Sequence, residues 1–169
     1  PMCGVPHHAA ENYIAKLIKH GKRVAIGEQT SEPVPGKIVD REIAQIISAG
    51  TIDNLSLLDD RTHNYLAAAY QHGTSFGLAV VDHSTGEFTL AEFPDQQQLE
   101  DELTMVAPSE LLVSDEQLQS LGGLAHVLPY EGYVFLLDQA IHTLRDHFKV
   151  QSLDGFGCAG MHPALSAAG

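Results

Sequence analysis

The chain has 169 residues, 44% of them hydrophobic and 18% charged, with a formal net charge of −13. That is the composition of one large or two small globular domains, and it excludes a disordered tail, a collagen and a disulfide scaffold. A surface that neutralises phosphates needs clustered Lys and Arg, so the total charge argues against simple nucleic-acid binding. The charge is unevenly placed, however. Residues 1–50 hold six bases against five acids, whereas residues 51–169 hold three bases against 17 acids, with no base between Arg61 and Arg145. So sharp a break implies two pieces with different neighbours, the first able to approach a polyanion and the second repelled by one.

Ala10, Tyr13, Ile14, Leu17 and Ile18 recur at helical spacing and predict an amphipathic helix over 9–20, with Gly21 as its C-terminal cap. Residues 23–29 read as a strand, 31–36 with Pro33 and Pro35 as a turn, and 42–48 as a second strand. These make a small α/β unit whose partner strands are expected ahead of it. After Gly50-Thr51 an acidic linker, 53–60, leads to three strands over 65–70, 76–82 and 87–93. The loops between them are short and rich in Gly and small polar residues, as in an antiparallel meander. Asp95 is placed to cap a helix with the stripe Leu99, Leu103 and Val106, ending near Pro108. A short buried strand over 111–113 follows. Ser114 and Gln117 have capping-box spacing before a short helix ending at Gly122-Gly123, and 126–128 reads as a further strand. Leu137, Ile141, Leu144 and Phe148 mark the strongest helix in this half of the chain, with Lys149 suiting its dipole, and His162-Pro163-Ala164 opens another.

Three patterns carry possible chemistry. Gly155-Phe156-Gly157-Cys158-Ala159-Gly160 matches the glycine turn that cradles a dinucleotide pyrophosphate, which requires a strand before it. Asp82 at a strand end, followed by His83-Ser84-Thr85-Gly86, resembles the first hairpin of RNase H-like folds, where a carboxylate holds a metal that activates water. Asp138 and Asp154 are the further acids such a nuclease would use. Cys3 with His7 and His8 supplies zinc-type ligands but no fourth one. A P-loop motif is absent. Two distant cysteines, no leader and no apolar run of membrane length predict a cytoplasmic chain with reduced thiols, and its two ends read as those of an excised fragment.

Taken together, Pro1-Met2-Cys3-Gly4-Val5-Pro6-His7-His8-Ala9, the helix from Glu11 to Leu17 and Val24-Ala25-Ile26-Gly27-Glu28-Gln29-Thr30 resemble the MutS family of DNA mismatch repair proteins. Later stretches, including Asn64-Tyr65-Leu66-Ala67-Ala68, Ser84-Thr85-Gly86-Glu87-Phe88, Pro108-Ser109-Glu110-Leu111-Leu112 and Gly155-Phe156-Gly157, resemble that family's connector. The resemblance implies an α/β chain. Residues 1–51 would be the later part of a mismatch-recognition domain, 52–160 an RNase H-like connector with a mixed sheet and flanking helices and no nuclease activity, and 161–169 the start of the next helix. It implies no catalysis and no bound cofactor in this piece. In the longer protein it implies ATP and Mg at a distant ATPase domain, mismatched duplex DNA bound by a self-dimer through a Phe-x-Glu motif that this chain lacks, and MutL as a partner. DNA contacts fall by the same resemblance on Val5, Pro6, His7, His8, Lys37 and Arg41. Three departures stand out: Gly27 where the family often has Cys, Gln45 where it has Arg, and Ser48-Ala49 where it has Thr-Pro. The alternative drawn from the residues alone is a metal-dependent nuclease around Asp82.

Overall fold

The computed structural model describes residues 4–20, 22–31, 39–48 and 63–169. The chain divides into two compact units, Pro1–Asp60 and Arg61–Gly169.

In the first unit, helix α1 (His7–Lys19) covers an antiparallel pair of strands, β1 (Val24–Gln29) and β2 (Arg41–Ile47). Ile14, Ile18 and Ile47 form its core, with Ala10, Val24 and Ile26 packed around them. The predicted stripe is only partly used. Tyr13 and Leu17 are 53% and 45% exposed, because two strands are too narrow to cover the whole apolar arc of a helix. On the far side of the sheet Ile43 and Ile46 are also exposed. The register shifts between Ile26 and Gly27, so Gly27 faces Ile43. A Cβ on Gly27 would lie 3.8 Å from the Glu42 carbonyl oxygen, an ordinary contact, so the backbone there accepts a side chain such as Cys. Gly21 and most of the predicted turn at 31–36 fall outside the described residues; the helix cap that is seen is His20.

The second unit is a five-stranded mixed sheet in the order β5-β4-β3-β6-β7. The meander β3 (Tyr65–His72), β4 (Ser75–Asp82) and β5 (Phe88–Phe93) is antiparallel, as the hairpin loops predict. β6 (Glu110–Ser114) and β7 (Val127–Tyr130) then run parallel to β3 and to each other. Helix α2 (Gln96–Val106) begins on the expected cap, where Asp95 Oδ1 accepts from the Gln98 N–H at 2.9 Å. Leu99 and Leu103 press it onto the face made by Ala67, Ala69, Leu78, Leu111 and Val113. Alternation along the strands sends the other residues to the opposite face, where α4 (Leu137–Phe148) and α5 (His162–Ala168) bury Leu144 and Leu165 with Cys158.

One local expectation is overturned. Ser114 makes no capping hydrogen bond, and Gln117 does not reach back to it. Instead Gln117 acts as a stand-in strand partner for Gln71: its Oε1 accepts from the Gln71 N–H at 2.9 Å and its Nε2 donates to the Gln71 carbonyl at 2.7 Å. A half-buried strand end left without partners costs more than one helix cap gains, so the side chain goes to the sheet. The short helix α3 (Leu118–Leu121) follows directly.

Residues 161–169, set apart in the sequence reading, pack on this sheet. Pro163, Ala164, Leu165, Ser166 and Ala167 are all buried, and the Ala164 N–H donates to Glu92 Oε1 at 3.3 Å. The approach is close because β4 offers Gly77 there. A Cβ at Gly77 would lie 2.0 Å from the Pro163 carbonyl carbon and 2.2 Å from the Ala164 nitrogen, both backbone atoms. Gly77→Ala is therefore expected to destabilise the unit by about 3 kcal/mol, the upper end for overpacking, while Gly155→Ala, with open space around it, leaves stability unchanged. Urea unfolding followed by circular dichroism checks this; equal midpoints for the two variants would refute the close packing of α5.

Candidate functional site

β4 delivers Asp82 to the end of the sheet, opposite Tyr65 on β3. Its side chain is 2% exposed, and it is the only charged side chain buried among the described residues. A buried carboxylate persists as an ion only if donors replace its water. The turn that follows supplies two, since the Ser84 N–H and hydroxyl donate to Oδ1 at 2.8 and 2.7 Å. The Asn64 N–H adds a third at 3.3 Å, and Nδ1 of His63 sits 2.6 Å from Oδ2 with its ring stacked on Tyr65. Asn64 is held in turn, its Oδ1 accepting from the Ser109 hydroxyl at 2.8 Å, while the Ser109 N–H donates to the Tyr65 carbonyl.

Burial pushes the Asp82 carboxyl up. The hydrogen bonds from Ser84, His63 and the Ser84 and Asn64 backbone outweigh that effect and hold it well below the usual carboxylate range. The group is thus ionised and fully engaged in tying residues 63 and 64, the β4–β5 turn and the entry to β6 into one node.

This corrects the nuclease alternative. Asp82 ends the second strand of the sheet, and β3, the first strand, carries no carboxylate. Among the described residues no three of His, Cys, Asp and Glu come together as a metal site would need, so Asp138 and Asp154 do not join Asp82. The glycine motif also lies in the wrong place for a dinucleotide. It follows α4 and a single helical turn at Asp154–Phe156, not a strand. Gly157 and Gly160 have φ of 75° and 84°, which explains glycine at both, and they steer the chain into α5. Cys3 lies outside the described residues, and the zinc reading that depends on it lies outside them too.

The candidate DNA contacts all belong to the first unit. Val5, Pro6 and His8 are exposed at the start of α1, where the Pro6 carbonyl accepts from the Ala9 N–H at 2.9 Å. Arg41 opens β2, paired with Gln29 and exposed. His7 begins the helix; Lys37 lies outside the described residues. Sequence reading missed the partners of Asp82. Ser84, two residues on, was findable, because Asp-x-Ser before a glycine is an Asx-turn signal; Asn64 and His63, from across the sheet, carried none.

Fold and site together define a chain of two α/β units, a small one with a near-neutral charge and a larger acidic one whose buried carboxylate is committed to structure. Residues 1–56 match the family model of MutS domain I, and residues 64–169 match that of MutS domain II. Two relatives, each named DNA mismatch repair protein MutS, cover the whole chain at 42% identity, one from Protochlamydia amoebophila (strain UWE25) over 181 residues and one from Syntrophobacter fumaroxidans (strain DSM 10017 / MPOB) over 179. The chain belongs to the MutS family. It spans about a fifth of the length of these curated relatives, 21% and 20% respectively.

The Asp82 node predicts a pH dependence. Its folded-state pKa lies below the unfolded one, so its stabilisation is complete above the ordinary carboxylate range near about 3.9 and is lost as pH falls through the folded value. The stability gap between the wild-type chain and its Asp82→Asn variant should accordingly be widest at pH 6 and shrink between pH 5 and pH 3. Urea denaturation across that range measures it, and a gap that stays constant would show that the carboxylate charge is not what the donors hold.

Proposed function

We propose that this chain is a binding and coupling part of a mismatch repair protein, in which residues 1–51 belong to the mismatch-recognition domain, 52–160 form an RNase H-like connector, and 161–169 open the helix that leads onward. The observation that carries the reading is the tandem match to MutS domains I and II over one continuous chain. The RNase H-like assignment is supported by the sheet order, three antiparallel strands followed by two parallel ones on the far side of the first strand.

The mechanism is binding, with no chemical step in this piece. The near-neutral first unit approaches the duplex, with Arg41 and Lys37 set against phosphates and the Val5, Pro6, His7 and His8 loop against the backbone near the mispair. Exposure of Val5, Pro6 and His8 supports this, since side chains needed only to pack the loop would be covered. The acidic connector stays off the phosphates and transmits the state of a distant ATPase domain, which uses ATP and Mg, to the recognition domain. It also offers a surface to MutL, and the working form is a self-dimer in the cytoplasm. No helix among the described residues is long and apolar enough to cross a membrane.

The test is a chimera in which the matching segment of the Protochlamydia amoebophila relative is replaced by these 169 residues. It should retain the host's preference for mismatched over matched duplex in a gel shift. Arg41→Glu in the chimera should weaken binding to both duplexes alike and reduce the slope of log affinity against log salt by about 0.9, the value for one phosphate contact. A chimera without mismatch preference would contradict the role of the first unit, and an unchanged salt slope would remove Arg41 from the interface.

A further inference from the structure

α2 does not close the whole face of the sheet beneath it. Past its buried residues Leu99 and Leu103 a cleft of about 300 Å³ remains, near the low end of ligand-sized pockets. Leu78 and Val80 of β4 form its floor, with Tyr65 and Met105 beside them. Met105 is 76% exposed, a flexible apolar side chain with nothing over it among the described residues. Three carboxylates line the same cleft: Asp82, already held by Ser84, Asn64 and His63, together with Glu87 at the start of the β5 edge and Glu102 on α2. Among the described residues the Glu87 and Glu102 side chains have no hydrogen bond or ion pair, and the sequence has no base between Arg61 and Arg145 to neutralise them.

We propose that this cleft receives a Lys or Arg side chain from a segment of a protein partner. The side chain is amphipathic, and both halves of it have a place: the methylene stem lies on Leu78, Val80 and Met105, and the cationic head meets Glu87 and Glu102. Charge complementarity selects this occupant. Residues 51–169 carry 17 acids against three bases, so a nucleic acid is repelled from this face and a basic peptide is attracted to it. The proposal rests on the reading of the second unit as one that meets protein partners.

The probe is a fluorescein-labelled pentapeptide, Ala-Leu-Arg-Leu-Ala, titrated with the whole 169-residue chain by anisotropy, with citrulline in place of Arg as the uncharged control. The Arg peptide should bind, more weakly at higher salt, and the citrulline peptide should not. Glu87→Gln together with Glu102→Gln should lower the affinity about tenfold or more, whereas Glu116→Gln with Asp138→Asn, which remove the same charge elsewhere, should change it less than about twofold. No binding, equal binding of the two peptides, or equal losses in the two double variants would overturn the proposal. Association with MutL, measured in parallel, judges the broader reading separately: a chain that binds MutL but not the peptide leaves that reading standing and removes the cleft.

Discussion

A carboxylate taken out of water has to be matched donor by donor, and the second unit is organised around one such match at Asp82. Four donors from two separate stretches of chain converge on it, and Asn64, one of its partners, passes the connection to Ser109 at the entry of β6. The node therefore sits where the antiparallel half of the sheet meets the parallel half. It fixes residues 63 and 64, the turn that starts β5 and the strand that begins the parallel pairing. The same engagement explains what the group does not do. Oδ1 already accepts three hydrogen bonds and Oδ2 one, and the neighbouring strand β3 has no acid with which Asp82 could share a metal.

Small residues set the second constraint. β3 and β4 put Gly77, Ala68 and Ala79 on the face opposite α2, and α5 drops into the space they leave until backbone meets backbone. That contact makes the last helix part of the sheet's own core. A helix so deeply buried is a rigid lead into whatever follows it in a longer protein, which suits a unit whose proposed task is to carry a conformational signal between its neighbours.

Much of this was legible in the sequence. The strands of the meander, the Asp95 cap and the stripe of α4 follow from alternation, capping chemistry and helical spacing, all of which act within a few residues. What sequence did not disclose depends on contacts across the fold. Gln117 looks like half of a capping box until Gln71, 46 residues earlier, claims it. Asp82 looks like a metal ligand until Asn64 and His63 arrive from the neighbouring strand. The first unit reads as an amphipathic helix on strands, yet Tyr13, Leu17, Ile43 and Ile46 remain exposed because two strands provide too little surface to cover them. For the DNA contacts the sequence offered positions only through family resemblance; the fold adds that Val5, Pro6, His8 and Arg41 are accessible.

The central claim is that hydrogen bonding, not burial, decides the charge of Asp82 and so reserves it for structure. Titration of its side-chain carboxyl carbon by ¹³C NMR reads this directly. The account predicts a midpoint below the ordinary Asp value of about 3.9, with the Ser84 amide proton shifting at the same pH. A midpoint above that value would mean that burial wins, that the carboxyl is held as a proton donor, and that the node does not work as described.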